Sequence, residues 1–213
     1  MKAPVPTVYV IDDDEAVRSS LRLLFRSIGL PVQVFASAPE FLPQYTLDQP
    51  GCLVVDVRMP GMSGLELQHA LNLRGATVPV IFITGHGDIA MAVEAMQHGA
   101  FDFLAKPFRD QDLIDRVQRA MQQDAAHRLE FHNCSRIRER LESLTPRERE
   151  VLALVTSGKA NKIMAAELGV SQRTIEIHRA RVMEKMQASS LAQLVRMNLE
   201  VDGSGAGSTG VQA

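Results

Sequence analysis

The stretch "TVYVIDDDEAVRSS", Thr7 to Ser20, carries an apolar run, Val8 to Ile11, straight into three consecutive acids, Asp12, Asp13 and Asp14. A short apolar run of this kind reads as a strand covered on both faces. Adjacent carboxylates repel, and burial strengthens the repulsion. Positive charge is therefore expected at the end of this strand, and the rest of the sequence has to supply it.

Four more β-rich runs follow, Val32–Phe35, Leu53–Val55, Val80–Ile83 and Phe103–Ala105, each separated from the next by a helical pattern. Val17, Leu21, Leu24 and Ile28 share one face of a helix that ends at Gly29. Ser63 and Glu66 form a capping-box pair at the start of another. Asp88 to His98 gives a further helix, stopping at Gly99. Five βα units with short connections predict an α/β doubly wound, five-stranded parallel sheet of the flavodoxin-like kind over residues 1–122.

In such a sheet, ligands bind beyond the carboxyl ends of the strands. Strand one delivers Asp12 and Asp13 there, strand three Asp56 in "CLVVDVRMPGMSG", strand four Thr84 in "VIFITGHGD", and strand five Lys106 in "FLAKPF". Each has a plain reading taken singly: an N-cap, a turn acid, a strand-end hydroxyl, a solvated lysine. Together they place acids, a hydroxyl and an ammonium at one edge. Clustered oxygen donors suit a hard divalent cation, Mg²⁺ above all. Were a phosphoryl group carried on Asp56, the cation, Lys106 and Thr84 would neutralise its oxygens. Asp14 is expected instead to cap the first helix.

The second half changes character. Residues 1–135 hold 11 basic and 16 acidic side chains, whereas residues 136–200 hold 12 and 8, so an acidic part is joined to a basic one. Asp110 to about Leu144 reads as continuous helix, with 123–140 as a helical linker. Four helices follow over 141–200: "LTPRERE" supplies Thr145 as N-cap, Pro146 and a capping-box Glu148, then come Asn161–Leu168, Ser171–Met186, and a helix capped by Ser190 with Gln193. The Gly/Ser-rich end, 201–213, is expected to be disordered. No apolar stretch approaches the roughly 18 residues of a membrane span, and the start shows no signal-peptide pattern. Cys52 and Cys134 are expected as reduced thiols of a cytoplasmic protein.

"VIDDD", "VVDVRMPGMSG", "ITGHGD" and "DFLAKPF", in this order, resemble a response-regulator receiver domain over residues 5–122. The resemblance implies Asp56 as phosphoacceptor, Asp12 and Asp13 as the acidic pocket with Asp13 the direct Mg²⁺ ligand, and the Arg58 backbone carbonyl as a further ligand. Thr84 and Lys106 would sense the phosphate, and Phe103 would be the switch aromatic. Arg58 and His86 occupy positions that tune water access in that family.

"NKIMAAELGVSQRTIEIHRARVMEKM", 161–186, has helix-turn-helix spacing with its turn at Gly169. At about 100° per residue, Ile175, His178, Val182 and Met186 point inward, and Arg173, Ile177, Ala180 and Glu184 outward. An outward Ile177 suits a thymine methyl; Glu176 could accept from cytosine and Arg173 reach guanine. Lys162, Arg179 and Arg181 are expected on phosphates, with Thr174 and Ala180 also at the DNA face. A structural hairpin is the alternative. The segment from Leu144 to Met186 resembles the LuxR/NarL DNA-binding domain, and the whole chain a FixJ-type response regulator.

That resemblance implies a sensor histidine kinase, double-stranded promoter DNA and RNA polymerase as partners, a homodimer on phosphorylation (candidates Ile89, Met91, Val93 and Arg109), no membrane association, and no enzymatic turnover. Two other readings stay open. A haloacid-dehalogenase-type phosphohydrolase would use Asp12 and Asp14 as its D-x-D, although its later acidic pair is absent. A DNA-binding protein with a merely docking receiver would not need Asp56.

Overall fold

The computed structural model describes residues 4–85 and 89–205. His86, Gly87 and Asp88 lie outside the described residues, as do 206–213 and the side chains of Ile89, Ala90 and 202–205. The chain divides into two compact units, one up to Arg128 and one from Leu129.

In the first unit, strands β1 (Thr7–Ile11), β2 (Val32–Phe35), β3 (Gly51–Asp56), β4 (Val80–Thr84) and β5 (Asp102–Ala105) form one parallel sheet in the order β2-β1-β3-β4-β5. The three central strands are buried along their whole length, as their unbroken apolar runs require. Alternation of side chains splits the core in two. Tyr9, Ile11, Leu53, Val55 and Phe82 pack on one face with Phe41, Leu67, Leu71 and Ala95 of helices α2 (Ala38–Phe41), α3 (Gly64–Leu73) and α4 (Ile89–Gln97). Val8, Val10, Cys52, Val54, Ile81 and Ile83 pack on the other with Leu21 and Phe25 of α1 (Glu15–Ser27) and Leu113, Val117 and Ala120 of α5 (Asp110–Glu142). Burial pushes the Cys52 thiol pKa up, and both cysteines are free.

Local signals act where they stand. Asp14 caps α1 by accepting from the Ala16 N–H at 2.8 Å, and the reciprocal Ser63–Glu66 box starts α3. Two details of α1 differ from expectation: Phe25 is fully buried, and Ile28 is 41% exposed. The helix ends at Ser27, so Ile28 leaves the helical register and turns to solvent.

The second unit contains the end of α5, then α6 (Pro146–Thr156), α7 (Asn161–Leu168), α8 (Gln172–Met186) and α9 (Leu191–Gly205). Ile137, Leu144, Val151, Val155, Met164, Ile175, Val182, Met186 and Leu194 form its core. Helix α5 is unbroken through 123–140, and its Ile137 is buried in that core. The expected disorder from residue 201 is corrected: α9 continues to Gly205, held by Val201, which packs on the core. Elongating an existing helix needs no new nucleation, so the glycines that follow do not end it at once. Among the described residues no helix is long and apolar enough to cross a membrane.

Candidate functional site

The carboxyl ends of β1, β3, β4 and β5 bring Asp12, Asp56, Thr84 and Lys106 together. Asp12 is 1% exposed and Thr84 2% exposed, so the site is sunk into the sheet edge. The Lys106 ammonium donates to Asp12 Oδ2 at 2.8 Å and to Asp56 Oδ1 at 2.9 Å. It is the positive charge that the row of acids demanded. The Lys106 N–H also donates to the Thr84 carbonyl, fixing the ends of β4 and β5 to each other. The remaining carboxylate oxygens take backbone donors: Asp12 Oδ1 from the Asp14 N–H at 2.9 Å, and Asp56 Oδ2 from the Arg58 N–H at 2.7 Å.

Electrostatics follow from this geometry. Burial raises the Asp12 pKa above the ordinary aspartate value, against the lowering effect of Lys106 and of the Asp14 N–H. Burial would depress Lys106, but its bonds to Asp12 and Asp56 outweigh it, and its pKa stands above that of a free lysine. At neutral pH the lysine is a fixed cation between two acids.

Asp13 is exposed and is not drawn into this cluster by any hydrogen bond to its side chain. Among the described residues no three His, Cys, Asp or Glu side chains converge as a metal cage. The convergent set is two carboxylates and an ammonium. This still fits Mg²⁺, which is held through one or two carboxylates while keeping waters and sharing phosphate oxygens. Each oxygen of Asp12 and Asp56 has a lone pair left beyond the bond it accepts.

Two supporting residues escape a reading by strand ends. Arg18 of α1 donates from Nη1 to the carbonyls of Asp12 and Asp13, both at 2.8 Å, and so ties down the loop of acids. Arg58 Nη2 lies 3.8 Å from Met91 Sδ on α4. Their positions follow from contacts across the fold, although Arg18, a basic residue one turn into a helix behind three acids, was a usable signal. Phe103 is half-buried on β5, beside Phe82 in the sheet register.

In the second unit, Ile175, Val182 and Met186 of α8 are buried, while Arg173, Ile177, Ala180, Arg181 and Glu184 are exposed, with Ile177 43% exposed. His178 is half-buried, and its Nδ1 has no hydrogen-bond partner among the described residues. Lys162 on α7 is exposed. Four of the expected DNA-facing side chains already have partners within the protein. Arg179 donates to Asn161 Oδ1 at 2.6 Å, Thr174 Oγ1 bonds the capping Ser171 hydroxyl at 2.8 Å, and Arg173 pairs with Glu176 at 3.3 Å.

A buried acid-lysine-acid pocket on a doubly wound sheet, followed by a helix-turn-helix unit, defines a two-part signalling regulator. The sequence matches the response regulator receiver domain family over residues 8–118 and the luxR family of bacterial regulatory proteins over 142–198. Nodulation protein W of Bradyrhizobium diazoefficiens is 49% identical, across 90% of this chain and 84% of that protein. The transcriptional regulatory protein FixJ of Azorhizobium caulinodans is 50% identical, across 90% and 91%. Among solved structures, response regulator StyR superposes with a TM-score of 0.86 at 44% identity, covering 92% of this chain and 99% of StyR. FixJ-N covers 55% of this chain and 94% of its own, with a TM-score of 0.52 and 46% identity. The chain belongs to the response regulators that join a receiver domain to a LuxR-type DNA-binding domain; it is a transcription regulator and not a turnover enzyme.

Proposed function

We propose that Asp56 accepts a phosphoryl group from a sensor histidine kinase and that this modification switches the chain's binding to promoter DNA. The observation that carries the reading is the Lys106 ammonium held between Asp12 and Asp56. An Asp56 carboxylate oxygen attacks the phosphorus of a phosphohistidine. The P–N bond breaks and its electron pair returns to the imidazole. Lys106 remains to neutralise the phosphoryl oxygens, and Thr84 stands at the adjacent strand end to donate to one of them. Asp12, Asp13, Asp56 and the Arg58 carbonyl would hold Mg²⁺, which would supply further neutralisation of the charge on the phosphoryl oxygens.

Movement of Thr84 and Phe103 would then remodel the α4–β5–α5 face, where Met91, Val93 and Arg109 support a homodimer. Such a change is a population shift driven by one local charge. In the DNA-binding unit, Arg173, Thr174, Glu176, Ile177 and Ala180 are assigned to base edges or the groove wall. Lys162, Arg179 and Arg181 are assigned to phosphates. Breaking the Arg173–Glu176 pair frees both side chains for bases. Contact with RNA polymerase and a cytoplasmic location complete the reading.

The test is incubation with Mg²⁺ and acetyl phosphate, followed by intact mass and peptide mapping. One phosphoryl adduct on Asp56, abolished in Asp56→Asn, is expected. An adduct on Asp12 with sustained phosphate release would instead favour the phosphohydrolase. Promoter activity unchanged in Asp56→Asn would favour a docking receiver.

A further inference from the structure

We propose that the second unit carries a separate anion site: an arginine-lined cleft that takes a small phosphomonoester. The cleft, of about 260 Å³, lies between the C-terminal part of α5 and α9. Arg136 and Arg140 stand one turn apart on α5, and Arg196 lines the cleft from α9. Like charges at this spacing repel along a helix, and a third guanidinium adds to the repulsion. Arg140 is fixed in place, with Nη1 donating to the Met186 carbonyl at 3.1 Å and Nη2 to Gln187 Oε1. No described residue gives Arg136 or Arg196 a hydrogen bond or an ion pair. Glu200 is the one acid among the lining residues.

The chemistry of the ligand follows from this balance. Three guanidinium groups against one carboxylate leave two positive charges, which match a phosphomonoester carrying roughly −2 at neutral pH. Guanidinium forks fit phosphate oxygens in pairs. Ile137 and Met197 give the cleft an apolar wall for the organic part of the ligand. A concave cleft of this size excludes a duplex. None of the side chains assigned to DNA lines it. A bound dianion would bridge α5 and α9 and stabilise the unit by mass action.

The test is calorimetric titration of the full chain with phenyl phosphate in Mg²⁺-free buffer. Saturable binding is expected, weakened about tenfold or more by Arg136→Gln or Arg196→Gln and tightened by Glu200→Gln. These three side chains are exposed, so the substitutions leave the fold intact. Phenyl sulfate, with one charge fewer, should bind about tenfold more weakly. The proposal is overturned if binding does not saturate or if the arginine variants bind as the wild type does. It is equally overturned if duplex DNA displaces phenyl phosphate and the arginine variants lose DNA affinity in parallel, which would make the cleft a contact for the DNA backbone.

Discussion

Lys106 and Asp56 lie 50 residues apart in the chain, yet the Lys106 ammonium donates to Asp56 Oδ1 across 2.9 Å. The same ammonium reaches Asp12, so one cation answers two buried acids contributed by different strands. Any group added to Asp56 changes the balance of charge at all three residues.

The first consequence concerns Asp12. Burial raises its pKa despite Lys106. A carboxyl raised in the folded state destabilises the fold above that pKa, and stability returns as pH falls through it. Asp12→Asn should therefore raise the thermal midpoint of the metal-free protein by a few degrees at neutral pH and flatten its dependence on acid pH. A lowered midpoint would show that the Lys106 pair outweighs the burial cost.

Gly64, the first residue of α3, sits against the end of β3. A Cβ there would stand 2.4 Å from the Asp56 carbonyl oxygen and 3.0 Å from atoms of Phe82 and Val55. Two of those neighbours are held in the sheet core, so the strand end itself must shift. Gly64→Ala should cost about 2 kcal/mol and slow phosphorylation of Asp56. Denaturant unfolding and acetyl phosphate labelling read the two effects separately.

Glu148 governs the acid limit of the DNA-binding unit. Its hydrogen bond from Lys185 at 2.7 Å, with a second from the Thr145 N–H at 2.9 Å, lowers its pKa from 4.5 to about 2. A depressed carboxyl contributes stability above its unfolded pKa and loses it as pH falls through the folded one. The helical signal of residues 141–200 should weaken as pH drops from about 4.5 towards about 2. Glu148→Gln should remove about 2 kcal/mol at neutral pH and abolish that dependence.

On DNA, the exposed Ile177 and Lys162 should behave differently. Ile177→Ala should cost about 1–2 kcal/mol at one base position only. Lys162→Ala should weaken all sequences alike and lower the salt slope by about 1. Fluorescence anisotropy against a panel of duplexes, at several salt concentrations, distinguishes the two.

Strand ends and caps were legible because they act locally. The apolar runs placed Asp12, Asp56, Thr84 and Lys106 at one edge, and Ser63, Thr145 and Ser190 accept from helix N–H groups where they stand. Helix α2, four residues behind the N-cap Ser37, is too short to show a period, and only Ser37 and Pro39 announced it. Long-range pairs were not legible, because no spacing rule joins their members. Lys185 with Glu148, and Asp124 with the Gly51 N–H, are of this kind. Asp13 illustrates the same limit from the other side: it adjoins Asp12 in sequence, but Asp12 is buried against Lys106 while Asp13 is exposed.

Promoter-duplex affinity of one preparation, before and after acetyl phosphate with Mg²⁺, tests the central claim most directly, with Asp56→Asn treated alongside. Tighter binding by the modified wild type, absent from Asp56→Asn, is the predicted result. Equal affinity in a sample shown by mass to be modified on Asp56 would contradict it.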